Sequence, residues 1–309
     1  MADLKLKDLR YLAALAHTRH FGQAAAACCV SQPTLSAQVR KLEAYLGIQL
    51  VERQPRHVTL TEAGAAIAAR ARQIIATSDE IVQLAAGWRD PLAGRLRVAT
   101  LPTIGPYLLP QVLPAVRKAL PRLALELYEY QTQPMLEQLR NGGVDMGLLA
   151  LPTHAEGCRT RALYEEPFVL AVPANHRLAA QRQAQVSQLA DETLLLLEEG
   201  HCLRDQALSV CAHARLHEKA DFRATSIETL RQMVAAGAGV TLLPALAGRG
   251  AYGTARGLRL VPLTRPEPHR QVGAMWRNST ARALAIDAFC DLVVRHCGLQ
   301  GTAPRRAAP

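Results

Sequence analysis

One short stretch of the chain contains two cysteines and a histidine whose types and spacing suit thiol redox chemistry. Cys202 follows His201 and lies nine positions before Cys211. The reactive form of a cysteine is the thiolate, and neighbouring cationic groups lower the thiol pKa. We therefore consider Cys202 as a redox-sensing thiol and Cys211 as its resolving partner. From spacing alone, two ordinary buried cysteines remain the simpler interpretation, so the rest of the chain must decide.

Length and composition indicate a multidomain protein with sizeable cores. The 309 residues are enough for two or three domains, and 49% of them are hydrophobic. The net charge of +10 is spread along the chain, so it allows an anionic partner without pointing to one segment. Seven cysteines without regular spacing do not suggest a disulfide framework. With no CxxC pair and no HExxH motif, we predict neither a metal site nor a cofactor.

The N-terminal residues and the lengths of the apolar runs bear on the cellular location of the protein. Met1-Ala2-Asp3-Leu4-Lys5 lacks a signal-peptide pattern, and no apolar run approaches the length of a membrane span. We expect a cytoplasmic bacterial protein without a membrane partner, associated with the nucleoid when it is bound to DNA. Such a compartment keeps thiols reduced.

The first 60 residues are typical of a small DNA-binding domain. Helices are predicted at 6–18, 21–27 and 32–46, the last one capped by Ser31, followed by a hairpin with strands at 50–53 and 58–60. Leu35, Val39 and Leu42 form the buried stripe of the third helix. Its polar face resembles a recognition helix that reads base edges in the major groove, although any small helical domain has polar faces. The candidate DNA-binding residues are Gln32, Pro33, Thr34, Ser36, Gln38 and Arg40 on the helix, with Arg53 and Arg56 in the wing.

Residues 61–94 are predicted to form a long linker helix and a hinge. Thr61 caps the helix, and Ile67, Ile74 and Ile81 lie in a seam with the heptad spacing of a coiled coil. With nothing else nearby to bury this seam, we expect it to be a dimer contact.

From residue 95 to residue 300, short apolar runs alternate with helical stretches. This pattern predicts an α/β architecture, and two lobes with a cleft between them fit it better than one. Polar residues such as Thr103 and Thr132 follow predicted strands, where open α/β sheets bind ligands. Both threonines are also plausible helix caps. Residues 301–309 are expected to be a disordered tail.

Specific motifs relate the chain to a known family. The run Val30-Ser31-Gln32-Pro33-Thr34-Leu35-Ser36, continued by Arg40-Lys41-Leu42-Glu43, closely resembles the winged helix-turn-helix of LysR-type transcriptional regulators. Later stretches resemble the hydrogen-peroxide-sensing OxyR branch of that family. They include Gly200-His201-Cys202-Leu203-Arg204-Asp205-Gln206-Ala207 and Phe222-Arg223-Ala224-Thr225-Ser226. The resemblance covers about residues 4–298.

The resemblance implies a fold, a function and a set of site residues. The fold is an N-terminal all-α winged helix-turn-helix, a long linker helix and a two-lobed α/β regulatory domain like a periplasmic binding protein. The function is transcription regulation switched by hydrogen peroxide, with Cys202 as the peroxidatic cysteine and Cys211 as the resolving one. The implied peroxide pocket consists of Thr103, Thr132, His201, Asp205 and Arg270. The implied partners are promoter DNA, a homodimer or homotetramer, and RNA polymerase.

Two other functions stay open at this point. A LysR-type regulator with incidental cysteines would respond to a small organic effector in the inter-lobe cleft. A thiol peroxidase would turn over peroxide at Cys202, but such an enzyme has no use for a recognition helix and wing, so we expect no enzymatic activity. Cys28 and Cys29 are expected to be packing residues, and Cys158, Cys290 and Cys297 match no sensing role.

Overall fold

The computed structural model describes residues 4–53, 58–87, 90–190, 192–211, 217–249 and 257–299. Of residues 53, 80, 83, 84, 86, 87 and 217–222 it describes the backbone alone. The chain forms two compact units, one of residues 1–89 together with 140–143 and one of residues 90–139 and 144–309. Within the described residues, no helix is both long and apolar enough to span a membrane.

The first unit contains the predicted helix-turn-helix and wing. Its elements are α1 (Leu6–Thr18), α2 (Phe21–Ala27), α3 (Gln32–Leu46), the antiparallel strands β1 (Val51–Arg53) and β2 (Val58–Leu60), and α4 (Glu62–Gly87). Ser31 caps α3 as predicted, because its Oγ accepts a hydrogen bond from the Thr34 N–H at 3.3 Å. Gly47 ends α3 at a φ of +68°, a left-handed conformation that glycine adopts readily.

The predicted leucine stripe of α3 lies in the core of this unit. Leu35, Val39 and Leu42 are buried together with Leu12 and Leu15 of α1. The rest of this apolar cluster comes from α2, the wing and the start of α4. This packing fixes the polar face of α3 toward solvent.

The seam of α4 is divided between the chain's own core and solvent. Ile67 and Ala71, in the first half, are covered by the unit itself, so the expectation that nothing nearby buries the seam was wrong there. The reason is that α1 packs along the same helix. Farther along, Ile74, Ile81 and Val82 are 49%, 66% and 69% exposed. Among the side chains that are described, the exposed large apolar residues of α4 therefore lie from Ile74 onward.

The second unit is built on a mixed seven-stranded sheet that serves two lobes. The first lobe uses β3 (Gly94–Thr100), β4 (Leu123–Glu129), β5 (Met146–Leu151), the first half of β6 (Cys158–Pro173) and β11 (His269–Arg277). The second lobe uses the second half of β6, β9 (Thr241–Pro244) and β10 (Leu258–Pro262), with the parallel pair β7 (Thr193–Leu197) and β8 (His217–Ala224) beside them. The strand β6 thus runs through both lobes.

Helices cover these sheets and present their ends to the cleft. The first lobe carries α5 (Gly105–Ala119), α6 (Thr132–Arg140) and α9 (Ala283–His296), and the second carries α7 (Cys202–Cys211) and α8 (Ile227–Ala235). Two short 3-10 helices lie at Val186–Leu189, before α7, and at Ala245–Gly248, after α8. Because β3 lies parallel to both β4 and β5, the carboxyl ends of these three strands meet at one edge. That edge is where an open α/β sheet places its ligand site.

Candidate functional site

Cys202 opens α7 directly after a tight turn at the end of β7. The turn contains Gly200 at a φ of +93°, a conformation that favours glycine. A Cβ atom there would also lie only 2.8 Å from Oε1 of Gln131, which belongs to the other lobe. The glycine therefore lets the segment that carries Cys202 approach the first lobe closely.

Arg270 anchors the opposite wall of the site. It lies on β11 and is 3% exposed. Its Nη1 donates to Oγ1 of Thr103 at 3.1 Å and its Nη2 donates to the Thr103 carbonyl at 2.8 Å. The guanidinium also forms an ion pair with Glu166 of β6, whose other oxygen accepts from the Leu246 N–H at 2.9 Å. The predicted pocket residues Thr103 and Arg270 are thus in direct contact.

The thiol of Cys202 is half-buried and feels opposing influences. Burial is the largest of them and raises its pKa. The positive charge of Arg270 and the nearby hydroxyl of Thr132 lower the pKa, whereas the charge of Asp205 raises it. The net shift of the pKa is upward because desolvation outweighs the charge of Arg270. Arg270 nevertheless acts in the expected direction, since a nearby cation favours the thiolate.

Thr132 contributes a hydroxyl that is not otherwise used. Its Oγ1 is buried and makes no hydrogen bond of ordinary geometry with the described residues, although it lies near enough to Cys202 to stabilise the thiolate. A buried polar atom without a partner is costly, so it favours a polar ligand beside it. Neither Thr132 nor Thr103 acts as a helix cap: Thr132 is the first residue of α6, and Thr103 accepts from Arg270.

His201 and Asp205 lie on different sides of the thiol-bearing turn. His201 is buried, and its Nε2 lies 3.0 Å from Nε2 of Gln131 across the cleft and 3.7 Å from Oε1 of Glu198. The side chain of Asp205 is exposed in the first turn of α7 and acts on Cys202 through its charge. Of the predicted pocket residues, Arg270, Thr132 and Asp205 therefore act on the thiol itself, and Thr103 contacts Arg270.

Cys211 occupies the other end of the same helix. It is the last residue of α7 and is 4% exposed within the hydrophobic core of the second unit. Burial raises its pKa to about 11. Both cysteines are free thiols, and α7 is continuous between them.

A cavity of about 790 Å³ lies between the two lobes, beside the turn that precedes Cys202. Its wall includes Gln131 and His201, the neighbours of Thr132 and Cys202 in the chain, together with Tyr107, Thr225 and Arg231. The cavity therefore comes within one position of Cys202 and of Thr132 along the chain. Within the described part of the chain, no group of three or more His, Cys, Asp or Glu side chains could hold a metal ion.

The predicted DNA-contacting residues of α3 are all at least partly accessible. Gln32, Pro33, Thr34 and Arg40 are exposed, and Ser36 and Gln38 are half-buried. The Arg53 side chain and the whole of Arg56 lie outside the described residues, so their expected phosphate contacts stay predictions. The backbone of the wing forms the predicted hairpin, with Val51 opposite Leu60.

Comparison with known proteins agrees with this architecture along the whole chain. The model for the bacterial regulatory helix-turn-helix protein, lysR family, matches residues 6–65, and the LysR substrate binding domain matches residues 89–298. The hydrogen peroxide-inducible genes activator of Dickeya chrysanthemi is 41% identical over 296 residues, which are 96% of this chain and 97% of that protein. A full-length OxyR variant from Pseudomonas aeruginosa is 36% identical, with a TM-score of 0.81 and complete coverage of both chains. The chain belongs to the OxyR branch of the LysR family.

A further solved structure is similar over nearly the same length. It is a cysteine-to-serine OxyR variant from Corynebacterium glutamicum with bound hydrogen peroxide, 34% identical, with a TM-score of 0.66 over 96% of this chain and 93% of that one. Membership in the LysR family makes this protein a DNA-binding transcriptional regulator and not an enzyme. The predicted fold and family are thereby confirmed.

Two residues of the OxyR-type site were not among the predicted site residues. Glu166 is fully buried and pairs with Arg270, and Gln131 contacts His201 across the cleft. Glu166 lies near the middle of β6, which also contains the charged residues Arg159, Arg161 and Glu165. So many charges in a short stretch predict exposure to solvent, and the burial of Glu166 was therefore not expected. Gln131 precedes Thr132 after β4, so its position at a strand end was the available signal.

Proposed function

We propose that this protein regulates transcription in response to hydrogen peroxide, through oxidation of Cys202 and a disulfide between Cys202 and Cys211. The observation that carries the proposal is the placement of the two thiols at opposite ends of one helix. The first thiol lies at a polar site with Arg270 and Thr132, and the second lies in the apolar core. Cys202 is thus placed to react, whereas Cys211 is buried away from the reactants.

The first step is the reaction of Cys202 with peroxide. The thiolate sulfur attacks one peroxide oxygen, the O–O bond breaks, and the leaving hydroxide takes a proton to become water. The product is a sulfenic acid. Thr103 and Thr132 offer hydroxyls that can donate to the peroxide oxygens, and the charge of Arg270 stabilises both the thiolate and the developing hydroxide.

The second step requires a change of structure. Nine residues of helix separate the Cα atoms by about 13.5 Å along the axis. A disulfide needs Cα atoms within about 7 Å. Cys211 can therefore attack the sulfenic sulfur, form the S–S bond and release water only after α7 unwinds or bends.

The burial of Cys211 also hinders disulfide formation while α7 is intact. Its pKa of about 11 keeps it protonated at neutral pH, and a protonated thiol is a poor nucleophile. The cause of the raised pKa is burial, so the unwinding that brings the sulfurs together also removes that cause. The cross-linked segment is then the signal that alters DNA binding.

Relatives support this assignment through what they bind and are named for. The OxyR variant from Corynebacterium glutamicum holds hydrogen peroxide, and the curated relative from Dickeya chrysanthemi is named as a peroxide-inducible activator. On the same grounds we propose promoter DNA and RNA polymerase as partners and a cytoplasmic location. The exposed second half of α4 supports a homodimer or a homotetramer.

The experiment is a count of free thiols before and after one equivalent of peroxide, combined with DNA binding. The count should fall by two in the parent protein and the DNA footprint should change. Cys202→Ser should abolish both effects, whereas Cys211→Ser should leave Cys202 oxidisable without the disulfide. An unchanged thiol count in the parent protein would contradict the proposal.

The second candidate is a regulator that binds a small organic effector, and the cleft volume favours it. About 790 Å³ lies within the range of small-molecule pockets, whereas peroxide needs far less space. A Cys202→Ser, Cys211→Ser protein that still changed its DNA footprint when given a small organic ligand would support this function instead.

A further inference from the structure

A second cavity lies far from the peroxide site in sequence, within the first unit. It has a volume of about 630 Å³ and is formed by the start of α1 and the end of α2. Its wall contains two adjacent thiols, Cys28 and Cys29, and two cations, Lys7 and Arg10. The remaining wall is largely apolar and includes Tyr11. Thiols and cations therefore share one small cavity.

The two thiols differ in access. Cys28 is half-buried, whereas Cys29 is exposed, so the expectation that both are packing residues was wrong for Cys29. Cys29 also has a φ of +53°, in the left-handed region that favours glycine or asparagine. Neither packing nor backbone conformation therefore accounts for a cysteine at this position.

The cations are placed to hold a negative charge beside the thiols. Burial raises the pKa of Cys28 and is the largest influence on it, while Arg10 acts in the opposite direction. Lys7 lies over the ring of Tyr11, with Nζ 5.7 Å from the ring centroid. Arg10 forms a 3.2 Å ion pair with Asp79 of α4, but both side chains are about half exposed. Such an exposed pair is weak enough for another carboxylate to compete for the guanidinium.

We propose that Cys29 is a second modification site, which forms a mixed disulfide with an anionic low-molecular-weight disulfide of the glutathione type. The Cys29 thiolate attacks one sulfur of the small disulfide, whose S–S bond breaks as the new one forms. The other half leaves as a thiolate and takes up a proton. Cys29 is oxidised, the leaving half is reduced, and the carboxylates of the attached half lie beside Lys7 and Arg10. The proposal is independent of the peroxide switch.

The attached group would act on DNA binding. It adds negative charge two residues before Ser31, the cap of the recognition helix α3. DNA affinity depends strongly on neutralising phosphate charge, so an added anion here weakens binding to all sequences. Its carboxylates also compete with Asp79 for Arg10, whose side chain links α1 to α4 through that ion pair.

The test compares two disulfide reagents on the full-length protein. One is glutathione disulfide, which is anionic, and the other is bis(2-hydroxyethyl) disulfide, which is neutral. Trypsin releases residues 20–40 as one peptide that contains Cys28 and Cys29 and no other cysteine. We expect the glutathionyl group on Cys29, and a faster reaction with the anionic reagent than with the neutral one at low salt.

Variants separate the role of the cavity from general reactivity. Lys7→Gln with Arg10→Gln should reduce the preference for the anionic reagent toward unity, while Arg10→Lys should retain it. Lys41→Gln, an exposed cation on α3 outside the cavity, should leave the preference unchanged. Because Arg10→Gln also removes the ion pair with Asp79, the salt dependence of the preference in the unsubstituted protein provides a second measurement.

The outcomes that overturn the proposal are distinct. They are an unmodified 20–40 peptide, equal rates for the two reagents at low salt, or an internal Cys28–Cys29 bond as the sole product. Cys29→Ser should remove the adduct and its effect on DNA binding, and it should leave the loss of two thiols with peroxide unchanged.

Discussion

Arg270 and Glu166 form an ion pair whose side chains are 1% and 0% exposed, with Nη2 and Oε2 2.7 Å apart. They face each other on the neighbouring strands β11 and β6. Thr103 and the Leu246 N–H supply further hydrogen bonds to the two charges. The cation beside Cys202 is thus held in place by a buried carboxylate of the protein itself.

We predict that Glu166→Ala lowers the free energy of unfolding by about 3–5 kcal/mol, because it leaves the Arg270 charge buried without its partner. Denaturant unfolding of the reduced protein measures this loss. Glu165→Ala, at the half-buried neighbouring position, is the matched control and should cost much less. Equal losses in the two variants would mean that the pair has no special role.

We predict that stability falls as the pH rises from about 9 to about 11, partly through Cys211. Its pKa is raised from an ordinary 9.0 to about 11 by burial, so the unfolded chain loses this proton first. Stability is therefore fully present below pH 9 and is lost as the pH rises through the folded pKa. Unfolding of the parent and of Cys211→Ala should show a smaller alkaline loss in the variant. Parallel curves would contradict the assignment.

We predict that Ile81→Asp reduces the oligomer without unfolding the protein. Ile81 is 66% exposed in the isolated chain, so the charge is costly only where a partner covers it. Sedimentation should show a smaller species with weaker binding to a palindromic site. Ile67→Asp is the contrasting variant and should instead lower unfolding stability, because Ile67 packs against the chain's own core. An unchanged mass for Ile81→Asp would place the contact elsewhere.

We predict that Gln32→Ala relaxes sequence preference, with a loss of about 1–3 kcal/mol of discrimination if Gln32 makes a bidentate base contact. Gln32 is exposed at the start of α3, where a recognition helix meets base edges. Arg56→Ala should instead weaken binding to all sequences and flatten the salt dependence. Titrations of specific and scrambled DNA at several salt concentrations distinguish the two. If Gln32→Ala kept both the affinity and the sequence preference of the parent protein, Gln32 would not be a residue that contacts the bases.

Local sequence patterns predicted most helices and strands, because the caps and apolar periodicities that define these elements involve residues close together in the chain. Ser31 and Gly47 delimit α3 through a cap and a left-handed residue, and both signals are visible in the sequence. The part of β6 up to Glu166 was missed because it carries four charged residues, Arg159, Arg161, Glu165 and Glu166, and lacks the apolar run by which most other strands were found. β8 was missed because residues 217–221 carry three charges and a histidine.

The predicted site residues came from resemblance, and the structure shows what spacing could not. Glu166 became visible only when β6 and β11 paired, since it lies 104 positions from Arg270. The upward shift in the pKa of Cys202 depends on how deeply the thiol is buried, which no local pattern encodes. The covering of Ile67 by α1 likewise depends on tertiary packing.

The continuity of α7 between its two terminal cysteines also bears on how long a signal would last. Under the proposed switch, a helix that spans Cys202 to Cys211 cannot reform while the sulfurs are joined. Thermal fluctuation alone therefore cannot return the protein to its resting state, because a covalent bond must first be reduced. The duration of the response would be set by the supply of reductant in the cell. The ten residues of α7 would stay in the cross-linked conformation after the peroxide itself had gone.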